Sequence, residues 1–372
     1  MKVLLCGGGS VGHISPAIAI AEAIKQKDKN AEFLFVSREG GSENDVIKKA
    51  GINLKTIKVE GIQRKLTAKN FERISLALKA IDKAAEILTQ FSPDAVIITG
   101  GYVSWPVAKA ALKLKIPLIL HESNAYPGLV TRIIASKCDL VLLSNEEAKK
   151  YIRKSAKAVV VGNPITSDFY KYTRTKARKL LNLGENDILL VSFGGSIGAE
   201  KINSTVISIM ESYSVNTRNF HHIHATGKKH FDKIDKRDLK KGKNGCKILP
   251  YIDNMATMLW AADIVICRSG AMTLSELSAV GVASILIPSE HVTNNHQYKN
   301  AKMLYDRSAC LLIEEKDLSE ESLVTNLSLL INDREARNTL SQKIKKLSQK
   351  DASRLCADSI IELLRKNTSA LH

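Results

Sequence analysis

The sequence predicts an α/β protein made of two doubly wound domains of similar size. Short β-branched runs alternate with longer helical patterns, as parallel strands covered on both faces require. The alternation restarts midway along the chain. Both halves open alike: an apolar strand, a glycine-rich turn, then a helix.

In the first half the expected strands are Val3–Cys6, Glu32–Ser37, Asp94–Thr99, Pro117–His121, Leu140–Leu143 and Ala158–Val161. Pro16–Lys27 is the first expected helix. The second series follows Gly162-Asn163-Pro164. Its expected strands are Ile188–Phe193, His222–Ala225, Lys247–Leu249, Ile264–Cys267 and Ser284–Pro288. A linker near Val161–Ser167 sets domains at 1–163 and 164–350. A last helical pattern, about Ala352–Arg365 in the tail 351–372, is expected to pack back on the first domain.

Hydrophobic residues are 44% and charged residues 25% of the 372, which excludes collagen-like and low-complexity chains. Aromatics are only 5%, so the cores should be aliphatic. Lys and Arg number 55 against 38 Asp and Glu, a net +17 that favours an anionic partner. The charge alone does not indicate nucleic acid, because no reader motif or aromatic-basic interleaving accompanies it. Six scattered cysteines form no CxxC, which fits a reducing cytosol rather than a disulfide or zinc framework. No apolar run nears the roughly 20 residues of a membrane span, and the N-terminal apolar run is too short for a signal peptide. Arg64–Lys83 interleaves basic and apolar residues, as suits an anionic membrane surface. The plainer alternative is a surface helix with its apolar face in the core. A second basic run, Lys236–Lys247, reads as a solvated loop.

Gly7, Gly9 and Gly12 match G-x-G-x-x-G after a strand. Such glycines let backbone N–H groups approach a pyrophosphate at a helix N-terminus. A nicotinamide-dependent oxidoreductase would also want an acidic residue ending the second strand, where Ser37-Arg38-Glu39 stands. His13 follows directly; the positive end of a helix favours its neutral form, which a general base needs. A capping or packing role is the alternative. Gly194-Gly195-Ser196-Ile197-Gly198 is a second anion-cradling turn. Arg268-Ser269-Gly270-Ala271-Met272-Thr273-Leu274-Ser275-Glu276 ends a strand and starts a helix. Its carboxylate can accept from two sugar hydroxyls, or close a capping box with Thr273.

Two glycine turns at the carboxyl ends of first strands should face each other across a cleft and hold a diphosphate, as in a nucleotide-sugar. No D-x-D supports a metal bridge, and no P-loop motif supports ATP binding. His221, His222, His224 and His230 cluster, with zinc a minor alternative. Tyr102, Trp105 and Pro106 either line an acceptor pocket or form a turn.

These pieces, in order over nearly the whole chain, resemble the MurG family of glycosyltransferases (family 28). They are Gly8–His13, Gly100-Gly101-Tyr102-Val103-Ser104, His121-Glu122-Ser123-Asn124, Gly162-Asn163-Pro164, Gly194–Ala199, Arg268–Glu276 and His296-Gln297-Tyr298. The resemblance implies a GT-B fold and an inverting transfer without metal or other cofactor. N-acetylglucosamine would pass from UDP-N-acetylglucosamine to undecaprenyl-linked lipid I, giving lipid II for peptidoglycan. The protein would sit peripherally on anionic lipids of the cytoplasmic membrane face, through a basic and apolar patch of the first domain. Carried over by position, His13 would be the base. Ser10, Val11 and Gly12 would lie against the donor, and Asn124 and Gln297 would contact the sugar. Ser196 would bind the diphosphate and Ile252 the uracil through its backbone. Ala271, Met272, Thr273, Leu274 and Ser275 would hold phosphate and ribose, with Glu276 on the ribose hydroxyls. Three positions depart from the family pattern: Val11 replaces a glycine, Thr166 stands where an arginine is usual, and His296 replaces a glutamine. Other GT-B enzymes, glycolipid transferases and UDP-sugar epimerases, are the nearest alternatives.

Overall fold

The computed structural model describes the whole chain except residues 62–67, 215–218, 235–244 and 370–372. The start of the Arg64–Lys83 run and most of the Lys236–Lys247 run lie outside the described residues. The chain divides into two compact units, Met1–Thr166 with Gln349–His372, and Ser167–Ser348.

The first unit holds seven parallel strands in the order β3-β2-β1-β4-β5-β6-β7. They are β1 (Lys2–Cys6), β2 (Glu32–Arg38), β3 (Asn53–Ile57), β4 (Ala95–Ile98), β5 (Leu118–Glu122), β6 (Leu140–Leu143) and β7 (Ala158–Val160). The second holds six parallel strands in the order β10-β9-β8-β11-β12-β13. These are β8 (Ile188–Phe193), β9 (Phe220–Ala225), β10 (Cys246–Leu249), β11 (Ile264–Cys267), β12 (Ala283–Leu286) and β13 (Leu311–Leu312). The helices that matter below are α1 (Val11–Lys27), α2 (Ala68–Phe91), α3 (Ser104–Lys113), α4 (Leu129–Ile134), α5 (Glu200–Ser214), α6 (Met255–Ala261), α7 (Ala271–Val280), α8 (His296–Tyr305) and α9 (Ala352–Ser369).

The apolar runs explain the sheets. In β1, Leu4 and Cys6 enter one core layer with Val96 and Ile98. Val3 and Leu5 enter the other with Phe35, Ile97 and the inner face of α1. A strand buried on both faces must be apolar throughout, as a central parallel strand is. β3 and β13 escaped the sequence reading for the opposite reason. β3 is a largely exposed edge strand carrying Asn53 and Lys55, and β13 is two residues long.

Helix α1 begins at Val11, not at Pro16. Pro16 sits one turn inside, where its missing N–H leaves the Gly12 carbonyl without its usual helical donor. The tail α9 packs on α1 through Cys356, Ala357 and Ile360, and Lys27 meets Asp358 at 2.7 Å. All six cysteines are buried and none is disulfide-bonded.

The histidine cluster in β9 is structural. His222 Nε2 and His224 Nδ1 meet the Ser192 hydroxyl at 2.7 and 2.8 Å. Ser192 donates its one proton to one ring and accepts an N–H from the other. Burial pushes His224 down to about 4, and burial with its neighbour pushes His222 well below the usual range. Both stay neutral where an unfolded chain is protonated. Stability is therefore complete above about pH 6.5 and falls as the pH drops, by roughly 3 kcal/mol from His224 alone on reaching pH 4. Urea midpoints measured from pH 7 to 4 should show this acid limb, flattened in His224→Phe. A limb unchanged in that variant would assign the acid sensitivity elsewhere.

Candidate functional site

Each sheet reverses its strand order beside its first strand. β1 lies between β2 and β4, and β8 lies between β9 and β11. The turns leaving β1 and β8 thus sit at switch points, where strand ends leave a crevice.

In the first unit, the turns after β1 and β4 interlock. Gly101 has φ +81°, and a Cβ there would lie 2.0 Å from the Gly8 carbonyl oxygen. Its neighbour Gly100, at φ +109°, leaves room for the His13 ring, which a Cβ would crowd to 2.7 Å from Nδ1. His13 is the third residue of α1 and is half-buried. Its Nδ1 lies 3.2 Å from the Thr99 carbonyl oxygen, and the Thr99 hydroxyl in turn donates to the His13 carbonyl. A carbonyl can only accept. Nδ1 therefore carries the proton and Nε2 the basic lone pair. Ser10 is the extended N-cap of α1, but its hydroxyl does not cap the helix. Val11 is half-buried and Gly12 exposed beside it.

A residue outside the sequence motifs completes this corner. The Gly9 amide donates to Glu43 Oε1 at 2.7 Å, and Arg38 Nε holds the same oxygen at 2.8 Å. Arg38 Nη2 reaches the other oxygen at 3.2 Å. Burial opposes the Glu43 charge, yet Arg38 and the Gly9 amide hold its carboxyl below the usual range. A carboxylate of the chain itself thus occupies an amide that a dinucleotide pyrophosphate would use. Glu39, which ends the second expected strand region, is exposed. The G-x-G-x-x-G match is not a nicotinamide site in this arrangement.

The strand ends nearby are tied in a similar way. Glu122 Oε1 accepts from the Asn124 amide and Nδ2, at 2.9 and 3.0 Å. Its Oε2 accepts from the Gly128 amide and the Thr131 hydroxyl. Asn124 follows β5, which lies two strands from β1. Two separate motifs meet here: buried His121 donates to the Gly162 carbonyl at 3.1 Å, and Asn163 Nδ2 to the Ser123 carbonyl at 3.1 Å. Thr166 is the last residue of the first stretch of this unit and is half-buried. Tyr102 and Trp105 pack against the core, and Pro106 is buried in α3.

In the second unit, a cavity of about 810 Å³ opens above β8. The turn from Gly194 to Gly198, Ser196 included, forms one wall. The turn is tight: at Gly198, φ +87°, a Cβ would lie 2.0 Å from the Thr226 carbonyl oxygen. Ser196 is exposed on the turn. Gln297 lines the same cavity; its Oε1 accepts the Ser289 amide at 2.9 Å, which leaves its NH₂ as donor. Its charged lining is Glu200, Lys201, Arg268, Glu290 and Glu315.

The stretch Ala271–Glu276 forms the first turns of α7, with Gly270 as N-cap. Thr273 lies inside the helix, so the Thr273–Glu276 capping box does not form. Met272 and Leu274 are buried, and Ser275 turns back to the Ala271 carbonyl at 3.1 Å. Ala271, Thr273, Ser275 and Glu276 stay half-buried, with the backbone of the first turn beside them. The Ser269 hydroxyl donates to the Gln297 carbonyl at 2.8 Å, joining α7 to α8. Burial alone pushes the Glu276 carboxyl up to about 8. Ile252, before α6, is 4% exposed, so its side chain is core and only its backbone is available. Ser196 and Gln297 therefore share one cavity, while Ile252 and Ala271–Glu276 lie outside its lining.

Two Rossmann-like parallel sheets with glycine turns at both switch points are the GT-B architecture, and family models make this chain a glycosyltransferase. The models of the glycosyltransferase family 28 N-terminal and C-terminal domains match residues 3–143 and 189–356, and the chain belongs to that family. It is 41% identical over 356 residues to the UDP-N-acetylglucosamine--N-acetylmuramyl-(pentapeptide) pyrophosphoryl-undecaprenol N-acetylglucosamine transferase of Caldanaerobacter subterraneus, covering 95% of this chain and 97% of that protein. A protein of the same name from Acetivibrio thermocellus is 40% identical over 370 residues and the full length of both. Among solved structures, Acinetobacter baumannii MurG matches with a TM-score of 0.72 and 25% identity, covering 97% of this chain and 99% of that one. A UDP-GlcNAc 2-epimerase from Neisseria meningitidis bound to UDP-GlcNAc matches at 0.67 with 13% identity, over 98% of this chain and 100% of that one; it shares the fold alone.

Proposed function

We propose that the chain moves N-acetylglucosamine from UDP-N-acetylglucosamine to the 4-hydroxyl of the N-acetylmuramyl unit of lipid I, with inversion, giving lipid II for peptidoglycan. The observation that carries this is near full-length identity of about 40% to transferases named for those substrates. In the first unit, His13 Nε2 takes the acceptor hydroxyl proton as that oxygen attacks the anomeric carbon. The bond from that carbon to the diphosphate breaks, and UDP leaves with the electron pair. In the second unit, Ser196, the glycine-turn amides and the first-turn amides of α7 stabilise the growing charge. Preorganised donors of this kind contribute several kcal/mol. Ile252 meets the uracil by its backbone, and Glu276 the ribose hydroxyls. Asn124 and Gln297 contact the sugar, and Ser10, Val11, Gly12 and Thr166 lie along the donor. Replacing His13 by Ala should lower turnover of a lipid I analogue by about 10²–10⁴-fold with UDP binding intact. Turnover at the parental rate would remove His13 as base. The same assay, run with labelled UDP-N-acetylglucosamine, separates transfer from epimerisation.

Glu276 supports a pH test. Ribose hydroxyls donate to the carboxylate form, so binding favours ionisation of a group held near 8. UDP affinity should rise as the pH climbs from 6.5 to 9, with proton release, and Glu276→Gln should bind about tenfold more weakly and without that slope. Calorimetric titration in buffers of different ionisation enthalpy measures both. A pH-independent parental affinity would detach Glu276 from the ribose.

No helix among the described residues is long and apolar enough to cross a membrane. We place the chain peripherally on anionic lipids at the cytoplasmic face, where its lipid-linked acceptor would present its sugar. Supporting this, Leu129 and Ile133 stand one turn apart on α4 at 61% and 53% exposure, flanking Arg132. On α2, Leu78 is 54% exposed beside exposed Lys79. Sedimentation with vesicles should show binding to anionic but not neutral lipid, weakened by salt and by Leu129→Glu with Ile133→Glu. Equal binding to neutral vesicles would refute the charge requirement.

A further inference from the structure

The cavity beside Ser196 contains a carboxylate that no step above uses. Glu315 is only 7% exposed, and both carboxylate oxygens and its backbone carbonyl are engaged. Oε1 accepts from Arg268 Nη2, and Oε2 accepts the Glu290 amide at 3.1 Å. Its backbone carbonyl accepts from the Lys201 ammonium. Glu290 returns the link, its Oε1 accepting the Lys316 amide at 3.0 Å. Arg268 is also held from a second direction, Nη1 donating to the Ile287 carbonyl at 3.2 Å. One residue thus joins three walls of the cavity: the end of β11, the loop after β12, and the first turn of α5.

A negative charge inside a cavity meant for an anion works against binding. What it supplies is geometry. A guanidinium is a rigid planar fork on a flexible stem, and it binds phosphate well only when the fork is already aimed. With two of its edges fixed by Glu315 and Ile287, Arg268 keeps further N–H donors for the cavity it lines. We propose that Glu315 is a positioning residue that aims Arg268, and the loop carrying Ser289 and Glu290, at the diphosphate of the donor. This rests on the assignment of the cavity to the UDP-sugar.

Calorimetric titration of the full chain with UDP and with uridine tests it, because uridine lacks the diphosphate. Glu315→Ala should weaken UDP about tenfold and leave uridine within twofold. Glu315→Gln keeps one acceptor oxygen for Arg268 but turns an NH₂ toward the Glu290 amide, and should recover only part of the loss. Arg268→Ala should weaken UDP similarly, and adding Glu315→Ala to it should change little more, the non-additivity expected when one residue acts through another. The idea fails if UDP affinity is unchanged or tighter in Glu315→Ala, if uridine weakens in parallel, or if the Glu315 effect persists in full without Arg268. Should Glu315→Ala not fold, Glu315→Asp is read in its place with the same expectations, since the shorter chain cannot reach Arg268 and the Glu290 amide together. A parental chain that binds no UDP would instead overturn the donor-site assignment.

Discussion

Bare backbone meeting bare backbone is the constraint on which the first unit's site depends. The turns above β1 and β4 approach so closely that no side chain fits between Gly101 and the Gly8 carbonyl. Beside that contact the Thr99 carbonyl lies at the edge of the His13 ring, against Nδ1, and decides which ring nitrogen is basic. Tautomer, ring orientation and loop path thus share one cause. Gly100, outside the G-x-G-x-x-G pattern, is the glycine that leaves room for the imidazole.

A second device recurs across both units. Loops at the carboxyl ends of strands are tied by buried carboxylates that accept their amide N–H groups. Glu43 holds Gly9, Glu122 holds Asn124 and Gly128, and Glu315 holds Glu290. Strand-end loops have no ladder to satisfy their amides, and a buried carboxylate is the strongest neutral-pH acceptor a side chain offers. Arg38 and Arg268 balance two of these charges. Glu276 is the contrast: burial is the only influence on it, and it raises the carboxyl. A carboxylate left without such donors is suited to take them from a ligand.

The Glu43 tie also explains why the G-x-G-x-x-G pattern was ambiguous. Glycine spacing encodes a backbone shape and not what fills it. Glu43 lies 34 residues from Gly9, at the start of the helix Asn44–Lys49, and no local pattern links it to the motif. The same holds for Glu315, which reaches Arg268 across 47 residues. Long-range partners of a strand-end loop are invisible to spacing because the fold, and not the chain, makes them neighbours.

The sequence by itself determined the two-sheet α/β class, the central strands and the positions of both glycine turns. Those follow from local facts: strands buried on both faces must be apolar, and backbone contacts must be glycine. Edge strands β3 and β13 were illegible because exposed or two-residue strands need no apolar pattern. The first turn of α1 was hidden by Pro16, which reads as a start and is instead carried inside the helix. Only the tertiary structure decided that His13 holds its proton on Nδ1, that His222 and His224 close on Ser192, and that Thr273 caps nothing. Each of those depends on an acceptor or a helix boundary brought in by packing, and hydrogen bonds between distant residues exist only once the chain has folded.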